Sequence, residues 1–286
     1  MRRANPVAFT IEEKKVMNQN HTDDRIQACE QALQAAIATA YERFGRYRLP
    51  GGLLDVCTAC CMDAALEREM HKLPLCALSE RHFYEYNDSA KSAVQPEGEI
   101  LYFLPRMLEL LAQGARLHHS TELYLDRVGR CEAGAFSSRE RQALQDFALA
   151  HFSLGLEQWP PSQQSAFQGE NAFTILLMWD FAGVDIHALL AHWLACESEA
   201  SILHYVEAGF WDYWCFGRGV SNAFAGDRPA YRATLENWLT APPHRARFAG
   251  KLLELSATDL QIDWMADSRY GDFKQRMASV FDAITE

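Results

Sequence analysis

The sequence predicts an all-α fold, built as stacked helical hairpins that are either HEAT-like or an irregular helical bundle. Alanine and leucine account for 72 of the 286 residues, whereas valine and isoleucine account for 18. This ratio is the reverse of the β-branched enrichment that strands favour. Apolar residues also recur at spacings of three and four between short turns that contain proline or glycine, which indicates helices.

The first predicted helix runs from Thr22 to Phe44. Thr22 is a suitable N-cap, and the two aspartates that follow it complement the positive end of the helix dipole. Gly45 comes directly after the last apolar position and is the predicted stop. Residues 1–20 are polar and weakly patterned, and we expect them to form a loose N-terminal arm or a short helix.

The next three helices are predicted from capping residues and from prolines that end or kink a helix. A short helix at 63–71 follows a cysteine-rich connection and ends before Pro74. Ser79 caps a segment whose apolar face extends to Val94. The helix at 100–112 is apolar nearly all round, as expected for a helix buried between two neighbours, and the proline inside it is expected to produce a kink.

The second half of the chain continues the helical pattern. Ser137 and Glu140 form a capping box for a helix that ends before Pro160. Residues 209–219 place aromatic side chains between glycines, which favours an irregular packed loop. The other helices are predicted at 171–181, 185–196, 198–208, 227–240 and 243–255, with one or two more from 258 to the end, and Gly183 and Gly209 are predicted stops. The break in composition at 160–168 is short enough for an ordinary loop, so we expect residues 1–286 to form a single helical domain.

Charge and hydropathy exclude several classes of partner. The formal net charge is −11, and an acidic surface repels both nucleic-acid backbones and anionic lipid headgroups. The apolar run at 172–179 is far shorter than the roughly 20 residues that a membrane-spanning helix requires. The N-terminus lacks the apolar stretch of a secretory signal. We therefore expect a cytoplasmic protein whose eight cysteines are thiols or metal ligands, not disulfides.

The cysteines form the sharpest local pattern in the sequence. Cys57, Cys60, Cys61 and Cys76 fall within 20 residues, and a C-x-x-C step brings two thiolates close enough to bind one tetrahedral metal ion. The favoured interpretation of the sequence has no cofactor, and zinc is the candidate cofactor if the cysteines bind a metal ion. The candidates to complete a set of four ligands are Cys61, Cys76, His71 and His82.

Two other interpretations of the same cysteines stay open. Cys57 or Cys60 at the start of the short helix would have a lowered thiol pKa, which suits a redox-active pair. The βαβ context of thioredoxin-like sites is missing, however. In the third interpretation the cysteines are small buried apolar side chains, which is the usual fate of a free cysteine, and they carry no chemistry.

The aromatic segment at 209–219 is the second candidate site. Large aromatic side chains supply contact area in pockets and interfaces, although such clusters more often pack onto the core. The residues concerned are Phe210, Trp211, Tyr213, Trp214 and Phe216. Two interpretations of this segment therefore stay open. It forms a ligand pocket or a partner interface, or it is an ordinary loop packed onto the core.

The sequence contains no motif that is typical of an enzyme. G-x-x-x-x-G-K-[ST], G-x-G-x-x-G, G-x-S-x-G and H-E-x-x-H are all missing. His118 and His119 are adjacent, which would place them on different sides of a helix. His151, His192 and His204 lie among apolar neighbours, which indicates core or boundary histidines. We therefore predict no catalytic residues.

Residues 41–111 combine several short motifs. These are the C-x-x-C step at 57–60, the pattern PLxxLS at 74–79 and the pattern FLPRxLEL at 103–110. Their combination resembles a family of uncharacterised bacterial all-helical proteins. The resemblance implies a helical, bacterial, cytoplasmic protein, and it transfers no activity and no site residue.

These observations favour a non-enzymatic protein that binds another protein. Stacked hairpins create long concave surfaces, and an acidic surface suits a basic partner. One version of this hypothesis is a toxin-neutralising immunity protein. The alternatives are a zinc- or redox-responsive regulator that uses Cys57, Cys60 and Cys61, and an enzyme with a pocket near the aromatic segment.

Overall fold

The protein consists of α-helices joined by short turns, in a computed structural model that describes residues 11–215, 219–256 and 272–286. No strand occurs in these ranges, which confirms the all-α prediction. The helices are α1 (Ile11–Phe44), α2 (Ala64–Lys72), α3 (Glu80–Asp88), α4 (Glu97–Ala112), α5 (Asp126–Gly129), α6 (Ser138–Glu157), α7 (Ala172–Phe181), α8 (Ile186–Ala195), α9 (Glu199–Gly209), α10 (Pro229–Thr240), α11 (Pro242–Ser256) and α12 (Phe273–Thr285).

Short polar side chains begin many of these helices at the predicted positions. Each accepts a hydrogen bond from a backbone N–H group in the first turn, where four donors have no partner within the helix. The N-caps of α2, α6, α7, α8 and α9 are Asp63, Ser137, Asn171, Asp185 and Ser198. The capping box between Ser137 and Glu140 is also present. Gly183 has a φ of 77° after the end of α7, which confirms its predicted role as a stop.

Helix α1 begins earlier than the sequence pattern predicts. It starts at Ile11, so Thr22 lies inside the helix and is not its N-cap. Residues 11–20 therefore belong to a helix and not to a loose arm, while residues 1–10 lie outside the described residues. The physical reason is propensity, because residues 11–21 contain no glycine or proline and include several good helix formers. The predicted end is confirmed, since α1 stops at Phe44 before Gly45.

Two other predicted boundaries are wrong. Helix α3 ends at Asp88, and Val94 is 55% exposed instead of sharing a buried face. Its C-cap is Ser89, which has an extended backbone and whose hydroxyl accepts a hydrogen bond from outside the helix. The predicted loop after Gly209 begins instead as a helical turn of the π type at Phe210–Trp214.

Gly209 allows close packing and does not change the direction of the backbone. Its φ and ψ angles are −66° and −39°, which are ordinary helical values. A Cβ atom at this position would lie 3.0 Å from Cδ1 of Trp214, so a larger residue would require this ring to shift by a few tenths of an ångström. The prediction failed because glycine has two structural uses, and the sequence does not distinguish them.

The long helix α1 organises the packing of the first half. It lies along α6 and α4, which come much later in the chain. This pairing is that of an irregular bundle, one of the two predicted architectures. The buried apolar side chains form one core that extends from Leu33 on α1 to Ile284 on α12. Within the described residues, none of the helices combines the length and the apolar character needed to cross a membrane.

Candidate metal centre

Three cysteines lie together on a tight turn that precedes α2. The backbone N–H groups of Cys61 and Met62 both donate to the carbonyl oxygen of Cys57, at 3.2 and 3.0 Å. The backbone N–H of Cys57 donates to Oγ of Ser89 at 2.8 Å, which ties the turn to the end of α3. The turn therefore has a fixed shape and a fixed position on the protein.

The turn brings the three sulfur atoms into contact. Sγ of Cys60 lies 3.4 Å from Sγ of Cys57 and 3.4 Å from Sγ of Cys61, and all three sulfurs lie within 4.8 Å of one another. Cys60 and Cys61 are exposed and Cys57 is half-buried. Three soft ligand atoms in this arrangement are suited to binding a single thiophilic metal ion.

The remaining predicted ligands lie elsewhere. Cys76 is exposed on the 3₁₀ turn Leu75–Ala77 and does not belong to the group of three sulfurs. His71 contacts Glu67, with 3.1 Å between Nε2 and Oε1. His82 accepts a hydrogen bond from the backbone N–H of Ser79 at the start of α3. Among the described residues, the group thus contains three ligands and not the predicted four.

The interpretation of the cysteines as buried apolar residues is wrong. All eight cysteines lie in the described ranges, and each of them is either half-buried or exposed. The reason is local, because the turn at 57–61 projects its side chains from the surface and not from the face of a core helix. The chemistry of the thiols is therefore accessible to solvent.

Cys57 and Cys60 differ in acidity. The pKa of Cys57 is lowered to about 7, mainly because the Cys60 thiol donates a hydrogen bond to it and also because the backbone N–H groups of Ala59 and Cys60 point at it. The pKa of Cys60 is raised to about 11, because its neighbours are the sulfurs of Cys57 and Cys61. Cys57 thus supplies a thiolate, which is the form that binds metals, more readily than Cys60 does.

Asp55 anchors the chain just before the turn. Its backbone N–H donates to Oε1 of Glu99 at 3.1 Å. Its carboxylate accepts hydrogen bonds from the backbone N–H and hydroxyl of Ser92 and from the amide of Gln95, at 2.8 to 3.0 Å. These bonds join the connection between α1 and α2 to the connection between α3 and α4.

Arg127 completes this anchor from inside the protein. It is fully buried and donates to the backbone oxygens of Asp55 at 3.0 Å and of Tyr86 at 2.5 Å. It also donates to Oε1 of Gln95 at 2.5 Å, and its guanidinium lies 4.1 Å from the centre of the Tyr86 ring. A buried charge is tolerated only when it is paired or hydrogen-bonded, and Nη1 and Nη2 of Arg127 meet this requirement although Nε has no hydrogen-bond partner. This network therefore holds the irregular segment in place.

Asp88, one residue before Ser89, contacts both of the adjacent histidines. Nε2 of His118 lies 3.3 Å from Oδ1 of Asp88, and Nδ1 of His119 is hydrogen-bonded to the same oxygen. Adjacent histidines were expected to point to different sides of a helix, but residues 115–120 are not helical, so this group was not predicted. The three side chains form a second set of potential metal ligands.

The protonation of His118 makes this second set a poor metal site. The backbone N–H of Ser120 donates to Nδ1 of His118 at 3.1 Å, so Nδ1 carries no proton. Burial lowers the pKa of His118 to about 4, so the ring is neutral at pH 7 and its proton lies on Nε2. That proton points toward Asp88 and occupies the nitrogen that a metal ion would need.

The aromatic residues predicted as a pocket or an interface lie mainly at the edge of the core. Phe210 and Tyr213 are buried, and Trp211 and Trp214 are half-buried against the core. Phe216 lies outside the described residues. The guanidinium of Arg276 is 5.6 Å from the centre of the Trp211 ring and 5.9 Å from that of Phe210, distances at which a cation attracts an aromatic face.

Comparisons with protein-family models, with curated proteins and with solved structures give no match for this chain. What the three thiols do is therefore inferred from their geometry and chemistry.

Proposed function

We propose that the protein is a metal-responsive regulatory protein that binds one zinc ion through Cys57, Cys60 and Cys61. The observation that carries this proposal is the convergence of three sulfur atoms, within 4.8 Å of one another, on one short turn. Cysteine sulfur is a preferred zinc ligand, and thiolates select zinc over hard cations such as magnesium and calcium.

Zinc fits this turn after a small movement of exposed side chains. Tetrahedral bonds of about 2.3 Å place ligand sulfurs about 3.8 Å apart. The two contacts of Cys60 are shorter, at 3.4 Å, so the side chains must spread by a few tenths of an ångström. Three protein ligands leave the fourth position to water or to a small ligand, which suits an ion that exchanges with the surroundings.

The position of the turn supports a regulatory role. Ser89 joins it to the end of α3, and Asp55 and Arg127 join the preceding residues to α5. An ion that binds the three sulfurs acts on a segment that leads directly into α2 and is hydrogen-bonded to α3 and α5. Zinc binding is therefore expected to change the stability of this part of the bundle, because a ligand that binds the folded state stabilises it.

A zinc titration of the reduced, full-length protein tests this function. We expect one equivalent of zinc, competed against a chromogenic chelator, and thiolate-to-metal charge-transfer absorption when cobalt(II) replaces zinc. Cys60→Ser should weaken binding at least tenfold. Cys76→Ser is the matched control, because Cys76 is equally exposed but lies outside the group, and it should bind like the wild type. Less than one equivalent of zinc, or equal losses in both variants, would contradict the proposal.

Binding of a basic protein is a second candidate function, and one surface feature favours it. Leu53 is 82% exposed and lines the same depression as the exposed Val94. Asp55, whose side chain is 21% exposed, lies in this depression as well. An exposed apolar pair beside a carboxylate suits a partner that presents apolar and basic side chains together, and a toxin-neutralising immunity protein is one version of this function.

A pair of leucine variants tests the second function. Leu53→Asp should abolish recovery of a stoichiometric partner from the native host, because it places a charge on the proposed contact. Leu253→Asp is the control, since Leu253 is also exposed but lies on α11, and it should recover the partner normally. Recovery of the same partner by both variants, or by neither, argues against this surface.

A further inference from the structure

We propose that the same three thiols capture trivalent arsenic, presented as arsenous acid, more tightly than they bind zinc. This inference rests on the proposed function, because both need Cys57, Cys60 and Cys61 to converge on one atom. The inference names a further class of ligand, the trivalent metalloids. It also states that the site prefers trivalent arsenic to zinc.

The spacing of the sulfurs is the first reason. Trivalent arsenic forms three bonds and carries a lone pair, so its bonds to sulfur make a pyramid with angles near a right angle. Bonds of about 2.3 Å at a right angle place the sulfurs about 3.3 Å apart, compared with about 3.8 Å for tetrahedral zinc. Both sulfur contacts of Cys60 are 3.4 Å. Two of the three sulfur–sulfur separations therefore match the pyramidal arrangement, and the third, between Cys57 and Cys61, lies within 4.8 Å.

The number of ligands is the second reason. The group contains three cysteines and, among the described residues, no fourth ligand atom within the same distance. Three sulfurs fill only three of the four coordination positions of a tetrahedral zinc ion. They supply all three of the bonds that trivalent arsenic forms. Cys76, the nearest cysteine in sequence after these three, is not part of the group.

Charge is the third reason. A divalent zinc ion with three thiolates carries a net charge of −1, and the protein already has a formal net charge of −11. A trivalent arsenic with three thiolates is neutral. Because Cys60 and Cys61 are exposed, neutral arsenous acid reaches them from solution without passing through the protein.

The capture step is a ligand exchange without oxidation or reduction. Three arsenic–sulfur bonds form and three arsenic–oxygen bonds break. Each thiol proton leaves with one hydroxyl group as water, so one arsenous acid and three thiols give one arsenic trithiolate and three waters. Arsenic stays trivalent and sulfur stays at the level of a thiol.

Arsenite titration of the zinc-loaded, full-length protein tests the proposal. We expect release of the zinc to a chromogenic chelator at one equivalent of arsenite. Native mass spectrometry should show a gain of one arsenic atom and a loss of three hydrogens. Cys57→Ser, Cys60→Ser and Cys61→Ser should each weaken arsenite binding at least tenfold, whereas Cys76→Ser and Cys215→Ser should bind like the wild type.

The outcomes separate this inference from the proposed function. Zinc that stays bound in excess arsenite overturns the inference and leaves the zinc function standing. The inference is also overturned if the mass change shows that two thiols bind the arsenic and that one hydroxyl group remains on it. This measurement uses the wild-type protein, so it does not depend on the folding of a variant. A protein that binds neither zinc nor arsenite overturns both proposals.

Discussion

Two regions of the molecule are stabilised in different ways. The cysteine turn and the irregular connections beside it are held by a polar network in which the buried Arg127 donates to three oxygens of other segments. The aromatic region, residues 147–248, is held by ring contacts. The rings of Tyr205 and Phe248 stack at 3.8 Å between their centres, and those of Trp193 and Trp238 at 5.4 Å.

The difference explains where reactive groups are found. Ring packing fills space between helices and places the largest side chains out of contact with solvent. A network of directed hydrogen bonds can instead hold an irregular segment at a fixed place on the surface. The cysteine turn lies on such a segment, in agreement with the general observation that functional groups sit on loops positioned by a rigid scaffold.

The largest effect is expected from the aromatic region. Trp193 is fully buried and contacts Phe152, Phe173 and Trp238, so Trp193→Ala removes a large side chain from the core. We expect a loss of roughly 3–5 kcal/mol in the free energy of unfolding, measured with urea. Leu253→Ala, at a position 58% exposed, should change it by less than about 0.5 kcal/mol. Comparable losses in both variants would show that the rings do not dominate this region.

The second effect tests the polar network. Arg127→Met keeps the length of the side chain but leaves several buried oxygens without their donor. We expect a loss of roughly 3 kcal/mol in unfolding free energy and faster reaction of the cysteine turn with a thiol reagent. Arg130→Met is the control, because Arg130 pairs with Asp126 from a side chain that is 43% exposed, and it should cost less than about 1 kcal/mol. Unchanged thiol reactivity in Arg127→Met would mean that the network does not position the turn.

Local signals account for what the sequence predicted well. The starts of α6 to α9 follow from capping residues whose partners lie within three positions in the chain. The three sulfurs of the turn were predicted for the same reason, because their spacing alone brings them together. Such interactions depend on neighbours in sequence, and a single chain displays those neighbours directly.

Interactions between distant residues account for what the sequence did not predict. Arg127 meets Asp55 across 72 positions, and Asp88 meets His119 across 31. Nothing in the sequence around Arg127 distinguishes it from an exposed arginine. The exclusion of Cys76 from the cysteine group is of the same kind, because it depends on the path of the chain through α2.

The third effect is a loss of stability in acid that originates in the aromatic region. His151 is fully buried beside Phe147 and Trp179, and burial lowers its pKa to about 4. Its pKa in the unfolded chain is about 6.5, so between these values the unfolded state binds more protons and stability falls as the pH falls. From pH 7.5 to pH 5 this group should contribute a loss of roughly 2 kcal/mol.

The matched variants for this effect lie on one helix. His151→Met should reduce the fall in stability between pH 7.5 and pH 5 by that amount, measured by urea unfolding at each pH. Phe152→Met, at the next position on α6, removes a buried ring that does not titrate and should keep the wild-type dependence on pH. An equal dependence on pH in both variants would assign the acid sensitivity to other groups, such as the buried His204.

The smallest effect is expected in the metal-free protein and concerns the thiols themselves. If the network around Asp55 and Arg127 holds the turn, the sulfurs contribute little to folding in the absence of a metal ion. The triple variant Cys57→Ser, Cys60→Ser, Cys61→Ser should therefore change the unfolding free energy by less than about 0.5 kcal/mol in the presence of a chelator. At a zinc concentration 100 times the dissociation constant, the wild type should gain about 2.7 kcal/mol and the triple variant should gain nothing. A large loss of unfolding free energy in the triple variant, measured with the chelator and without zinc, would mean that the thiols themselves stabilise the fold. The distinction between a stable scaffold and an exposed reactive turn would then be wrong.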